Sequence, residues 1–141
     1  MGAINPEPNQ IKNALSSIPK RIPIVMLNLL KFRDKAAYES EEIDISGEQA
    51  YGNYAEGAFQ CLQKVGGELV WSGDAKASLI SPVGEEWDQV LLIRYPSIEK
   101  FFEMISSSEY NKVVEHRTAA LEDSRLIATV EKNHWGGIMS P

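Results

Sequence analysis

Residues 87–95 of this chain, WDQVLLIRY, contain four consecutive apolar side chains, Val90-Leu91-Leu92-Ile93, and end against Pro96. Their aromatic and β-branched content predicts a strand. Alternation places Trp87, Leu91, Ile93 and Tyr95 on one face and Val90 and Leu92 on the other, the second bracketed by Asp88 and Arg94. A strand that is apolar on both faces must have both covered, so this one belongs at the centre of a sheet. Pro96 has no N–H to donate and ends the ladder. Ser97 follows as an N-cap residue, and Ile98, Phe101, Phe102 and Ile105 recur at helical spacing, giving one helix face turned back towards the strand.

A second run of the same kind, residues 22–32, carries Val25, Leu27 and Leu29 on one face and Ile24, Met26 and Leu30 on the other, with Asn28 interrupting the second face. It too reads as a central strand. Before it, four prolines punctuate residues 1–23, and Ile11, Ala14, Leu15 and Ile18 predict one short, loosely docked helix. After it, residues 36–45 read as a loop over the rim. Ser46 and Gln49 then form a capping-box pattern that opens a helix reaching Val65 and stopping at Gly66-Gly67. Residues 68–80 alternate, with Leu69, Trp71 and Gly73 on the apolar side, as an edge strand would; Gly73 is the expected bulge or bend. Ser81-Pro82-Val83-Gly84 turns this strand into the next. Beyond Ile105 three serines break the helix. Ser108 is the expected cap of a further helical piece, with Tyr110, Val113, Val114, Arg117 and Leu121 on one face, and residues 125–130 form the last strand.

The order is β-α-β-β-α-β, an α+β, ferredoxin-like antiparallel sheet with its helices on one face. In that fold the first and third strands are central, and these are the two double-faced strands. The expected organisation is a single domain over 1–141: an N-terminal helical extension (1–21), the ferredoxin-like core (22–130) and a C-terminal tail (131–141) carrying Trp135. With the helices on one side, the other face of the sheet exposes an apolar surface that soluble monomers rarely leave open. A second copy packed face to face would cover it, so a homodimer is expected.

Composition narrows the partners. A formal charge of −6 and a pI near 5.0 argue against nucleic acid and against an anionic membrane surface as partners. The single cysteine, Cys61, leaves no internal disulfide and fits a reducing compartment. No basic, apolar leader opens the chain, and no apolar run approaches the ~20 residues of a membrane span. A cytoplasmic protein is expected.

The runs IVMLNLLKFR, GGELVWSGDA, EEWDQVLLIRYPSIEKFFEMI and SEYNKVVEHRTAALEDSRLIAT together resemble the domain of unknown function thirteen-thirty family, within the dimeric α+β barrel superfamily. The resemblance spans residues 22–129 and is most specific at the RYPS corner and the HRTAALEDSRLI ending. It implies a ferredoxin-like fold and a face-to-face dimer, and carries no reaction with it. Relatives of that fold include cofactor-free monooxygenases, muconolactone isomerases, haem-degrading enzymes and catalytically silent modules, among which fold alone does not choose.

The candidate site residues follow from their chemistry. Arg117 lies on the inward stripe of its helix, where it either clamps a ligand carboxylate or pairs with Asp88, Glu115 or Asp123. Tyr110, two turns earlier on that stripe, offers an amphipathic wall at the other end of a compound about 10 Å long. His116 has the free pKa of a general base but sits at the edge of that stripe, where a solvated histidine is equally natural. Asn28 is a polar group on an apolar strand face that must bond a ligand, a water or the backbone. Arg94 either contacts a ligand or makes a cross-strand or interface bridge. Tyr54, Trp71, Trp87, Tyr95 and Tyr110 either line an aromatic pocket or fill the core. No metal cluster, nucleotide loop or nucleophile elbow occurs, so neither a metal nor a cofactor is expected.

Two readings result. In one the chain is a small-molecule-binding homodimer, possessing or lacking a cofactor-independent monooxygenase- or isomerase-like activity on an anionic or aromatic compound. In the other it is a non-catalytic dimeric structural or interaction module. A cavity that gathers Asn28, Arg94, His116 or Arg117 favours the first; a solid subunit with those groups paired together favours the second.

Overall fold

The computed structural model describes residues 2–132. At its centre the two double-faced runs pair with each other. β1 (Ile24–Phe32) runs antiparallel to β3 (Gln89–Tyr95), with Ile24 opposite Tyr95, Met26 opposite Ile93, Leu27 opposite Leu92 and Asn28 opposite Leu91. β2 (Glu68–Asp74) flanks β3, and β4 (Leu121–Thr129) flanks β1, giving an antiparallel sheet of order β2-β3-β1-β4. α1 (Pro8–Ser17) precedes the sheet, α2 (Gly47–Lys64) links β1 to β2, and α3 (Ile98–Ser106) and α4 (Ser108–Ala120) together link β3 to β4. This is the ferredoxin-like topology, with one helix added in front and the second crossover helix broken in two.

The pleat sorts β1 into two environments. Ile24, Met26, Asn28 and Leu30 are buried beneath the helices; Val25, Leu27 and Leu29 alternate with them and stay partly exposed. The register carries Val90 and Leu92 of β3 and Ile127 of β4 onto that second, open face. It is an apolar surface with no helix on it among the described residues.

Local chemistry sets the helix ends. The capping box of α2 is complete: Gln49 N donates to Ser46 Oγ (3.0 Å) and Ser46 N to Gln49 Oε1 (2.9 Å). Gly66, at φ +80°, ends this helix in a conformation that side chains resist. Ser97 caps α3 through Lys100 N. The cap of α4 is Ser107, one residue before the expected Ser108. Its Oγ accepts from Tyr110 N (3.1 Å) and donates to Met104 O (2.7 Å), so one side chain ends α3 and starts α4. At the far end of α4 the orphan carbonyls of Ala119 and Ala120 accept from the amides of Ala37 and Arg33, both at 2.8 Å.

Several strand limits depart from expectation, β1 beginning at Ile24 and not Ile22 and β4 ending at Thr129. The first edge strand ends at Asp74, not Ile80; residues 75–88 leave the sheet because Pro82 and Gly84 (φ +87°) build a wide turn. The bulge falls at Val70, between Leu69 and Trp71, not at Gly73, and it shifts Trp71 onto the open face opposite Leu92. β3 begins at Gln89 rather than Trp87, since Asp88 substitutes side chain for backbone: its amide donates to Leu30 O (2.8 Å) while its carboxylate accepts from Phe32 N (2.7 Å). At the other edge β4 begins at Leu121, not Arg125. Leu121, expected on the helix stripe, is the first residue of the strand. The expected tail falls outside the described residues from position 133 on, with His134 and Trp135.

Gly47 sits where the loop after β1, the start of α2 and the end of α4 converge. A Cβ there would stand 2.3 Å from Arg33 O and 2.5 Å from Ala120 O. Gly47→Ala should therefore destabilise the subunit by about 1–3 kcal/mol in urea unfolding, despite the better helix propensity of alanine.

Candidate small-molecule site

Between the sheet and the helices lies a cavity of about 1020 Å³. Its lining reaches from Ser124 and Leu126 on β4 to Leu69 and Ser72 on β2, so it crosses the whole sheet from one edge to the other. On the flank of α2 that lines this space stand Gly52 and Ala55, both exposed, and the half-buried Ala58, small residues that leave it unfilled. The wall at the β4 edge comes from outside the ferredoxin-like core. There the N-terminal segment lays Ala3 and Ile4 along the cavity, which Pro6 and, from α1, Gln10, Ile11 and Ala14 also line. Ala3 N donates to Asp123 Oδ1 (2.9 Å), and Ser124 Oγ donates to Ala3 O (2.6 Å).

Arg117 is the charged group of this space. It is 9% exposed, lines the cavity and donates from Nη1 to Ile4 O at 2.5 Å. The ion pairs expected for it do not form. Asp88 is taken up by the β1 backbone, Asp123 pairs with Arg125 at 2.7 Å, and no described carboxylate lies within ion-pair distance of Arg117. A buried cation without a counter-anion is unfavourable by several kcal/mol in an apolar site. The one carboxylate among the lining residues is Glu48, which is exposed.

Around the guanidinium stand four of the five tyrosines. Tyr51 and Tyr54 come from α2, Tyr95 from the end of β3 and Tyr110 from the first turn of α4. Tyr54 and Tyr110 share a hydrogen bond at 2.8 Å, and their rings meet edge to face. Burial pushes the Tyr51 phenol up to about 12, against which the field of Arg117 acts in the opposite sense. Burial likewise raises Tyr54 and Tyr95, with the neighbouring phenols adding to it. These three hydroxyls are neutral at physiological pH and can donate hydrogen bonds to an anion. Asn28, 8% exposed, lines the floor; its Nδ2 donates weakly to Met26 O (3.3 Å) and Leu91 O (3.5 Å).

The structure thus gathers Asn28, Tyr54, Tyr110 and Arg117 around one cavity and separates the other three candidates from it. Trp71, moved by the bulge, is 54% exposed on the open sheet face, its ring lying over Gly73. Arg94 shares that face and pairs with Glu68 across the β2–β3 ladder at 3.2 Å. His116 faces the loop after β1, where its Nδ1 meets Tyr38 Oη at 2.6 Å, and it is not among the lining residues. Trp87 stacks under the Arg125 guanidinium, also away from the cavity. Sequence reasoning missed Tyr51 and the N-terminal wall. Tyr51 carried a readable signal, since it shares a helix stripe with Tyr54, Ala55 and Ala58, a mix of phenols and small residues unlike ordinary core. Among the described residues no group of three or more His, Cys, Asp or Glu is placed to hold a metal, and no helix is long and apolar enough to cross a membrane.

A ferredoxin-like sheet with a wide, arginine-bearing cavity under its helices defines an α+β protein of the ligand-sized-cavity kind. Within that class the chain belongs to the family described as Domain of unknown function (DUF1330), whose profile matches residues 35–131. It is similar to RPA0582, a protein of unknown function from Rhodopseudomonas palustris, with 37% identity over 94% of this chain and 99% of that one, at a TM-score of 0.85. Its fold is shared by SnoaB, a cofactor-independent oxygenase from Streptomyces nogalater, at 8% identity, a TM-score of 0.52 and coverage of 82% and 98%. It is shared equally by a hydroxynitrile lyase from Passiflora edulis, at 8% identity, a TM-score of 0.55 and coverage of 82% and 98%. A search of curated proteins returned no match.

The raised phenols give the site a pH signature. Their native pKa values lie above the unfolded value of 10.0, so the native state holds protons that the unfolded state releases. The stabilisation is complete below pH 10 and is lost as pH rises through about 12. Unfolding free energy should therefore fall over that interval, and Tyr51→Phe should make the fall shallower in urea titrations at each pH.

Proposed function

We propose that the protein is a homodimer that binds a small anionic or aromatic compound in the cavity of each subunit. The observation that carries this reading is Arg117, a buried guanidinium that lines a ligand-sized cavity with no carboxylate partner among the described residues. The hydroxyls of Tyr51, Tyr54 and Tyr95 and the Asn28 amide supply orienting hydrogen bonds, and apolar side chains supply most of the remaining surface. A solidly packed module would need none of these.

Binding is favoured over catalysis by what the lining offers. It contains no histidine among the described residues, and phenols held neutral by burial serve as donors rather than bases. The name of the cofactor-independent oxygenase of this fold leaves room for such chemistry in a cavity of this kind. The candidate base read from sequence, His116, is engaged elsewhere.

The dimer rests on the open face. Val25, Leu27 and Leu29, with Val90, Leu92 and Ile127, form one apolar surface that a second copy would cover in the same way on both sides.

Arg117→Met keeps the stem and removes the donors. For any anionic compound identified by a thermal-shift screen, affinity should drop by roughly 1.5–3 kcal/mol in this variant, as for a lost charged hydrogen bond. Without ligand the same variant should unfold within about 1 kcal/mol of the parent, because an unpaired buried charge has been removed. Unchanged affinity would make the arginine structural. For the dimer, Leu27→Asp should give a folded species of 15.7 kDa in light scattering, where the parent shows twice that mass. A parent already monomeric at micromolar concentration would refute the dimer.

A further inference from the structure

The cavity has a direction, and the direction specifies a ligand more narrowly than charge alone. Its cation stands towards the β4 edge, where Arg117 reaches Ile4 O and Ser124 holds Ala3. From there the lining passes over the phenols to Leu69 and Ser72 on β2, and Phe59 of α2 with Phe102 and Ile105 of α3 makes the remainder mostly apolar. Four strands span three inter-strand spacings, or roughly 14 Å. A volume of about 1020 Å³ is at the upper end for small-molecule sites and far exceeds what a short acid such as acetate would occupy. The second cation in the lining, Arg125, is already held by Asp123 (2.7 Å) and Glu85 (3.8 Å), which leaves Arg117 as the one unpaired positive charge among the described lining residues, suited to one negative group.

We infer that the site is built for an elongated apolar monocarboxylate lying across the strands, its head at Arg117 and its tail at the β2 edge, with the N-terminal arm as the wall that closes behind the head. This rests on the binding function proposed above and adds the ligand class, its orientation and a role for residues 2–17. The guanidinium has five N–H donors, of which Ile4 O occupies one, so a carboxylate can take others without displacing the arm. Head and arm then share one anchor, and a bound acid strengthens the hold on the arm. The arm is suited to such dependence. α1 has no buried residue and no side-chain cap at its N-terminus, and it touches the cavity through Gln10, Ile11 and Ala14. Occupancy should thus be felt along a helix that is otherwise weakly tied to the body.

The test uses the full-length protein and four probes: butanoate, octanoate, decanoate and the neutral analogue decanol. Calorimetric titration should show binding tightening about threefold to fourfold per methylene from butanoate towards decanoate, as the tail covers apolar surface. Decanol should bind at least tenfold more weakly than decanoate. Saturating decanoate should slow amide deuterium exchange in residues 8–17 at least fivefold, and butanoate should slow it less. Phe59→Asp, at a position 49% exposed and tolerant of charge, should weaken decanoate at least tenfold and leave butanoate unchanged. Equal affinities for decanoate and decanol, or for decanoate and butanoate, would overturn the ligand class. Decanoate affinity unmoved by Phe59→Asp would overturn the orientation, and arm exchange unmoved by decanoate would overturn the closing wall. If none of these acids binds while a metabolite screen finds another ligand that Arg117→Met weakens, the class assigned here is wrong and the binding function stands. If no ligand emerges from either experiment, both fall.

Discussion

The antiparallel pairing of β1 with β3 is the constraint from which the rest of the fold follows. Both strands are apolar on both faces, and their register sets Met26 beside Ile93 and Leu27 beside Leu92 on opposite sides of one layer. A two-stranded ribbon cannot bury such side chains alone, so each face requires a cover. The crossover helices supply one. β2 and β4, added at the edges, widen the floor on which those helices rest.

The helix cover is incomplete, and its incompleteness creates the cavity. Where α2 faces the sheet it carries small residues and tyrosines rather than a solid aliphatic stripe, so the layers meet around a cavity. Phenols suit such a wall because their rings contribute apolar surface while their hydroxyls bond one another, as Tyr54 and Tyr110 do. Burial keeps Tyr51, Tyr54 and Tyr95 neutral, so Arg117 finds no counter-charge in those three. The guanidinium leans on a single backbone carbonyl of the N-terminal arm, an arrangement that satisfies a donor without neutralising a cation.

The architecture also shows how backbone groups at helix ends and strand ends are satisfied without long connections. Ser107 serves two helices at once, and the loop after β1 donates its amides to the last carbonyls of α4. Asp88 extends the β1–β3 pairing by a side chain where the backbone turns away. These substitutions hold α4 close to β4, with Leu121 entering the sheet directly after Ala120. They also place Arg117 one turn from the strand that it overlies.

Much of this was legible in the residues themselves. Period-two and period-3.6 patterns, together with caps at Ser46 and Ser97 and breaks at Pro96 and Gly66, determined the order of elements, the central strands and the two faces of β1. The inward stripe of α4 brought Tyr110 and Arg117 onto the same side two turns apart, because a helix repeats its directions regardless of what lies opposite. What lies opposite was decided only by tertiary structure. One extra residue at Val70 reversed the face of Trp71, since a strand alternates and a single insertion flips every side chain beyond it. Arg94 found Glu68 across a ladder, His116 found Tyr38 in a distant loop, and Arg117 found a carbonyl 113 residues away in the N-terminal arm. Periodicity records the direction in which a side chain points. Which group meets it there depends on long-range closure of the chain, and that closure left an inward arginine at the wall of a cavity with no carboxylate beside it among the described residues.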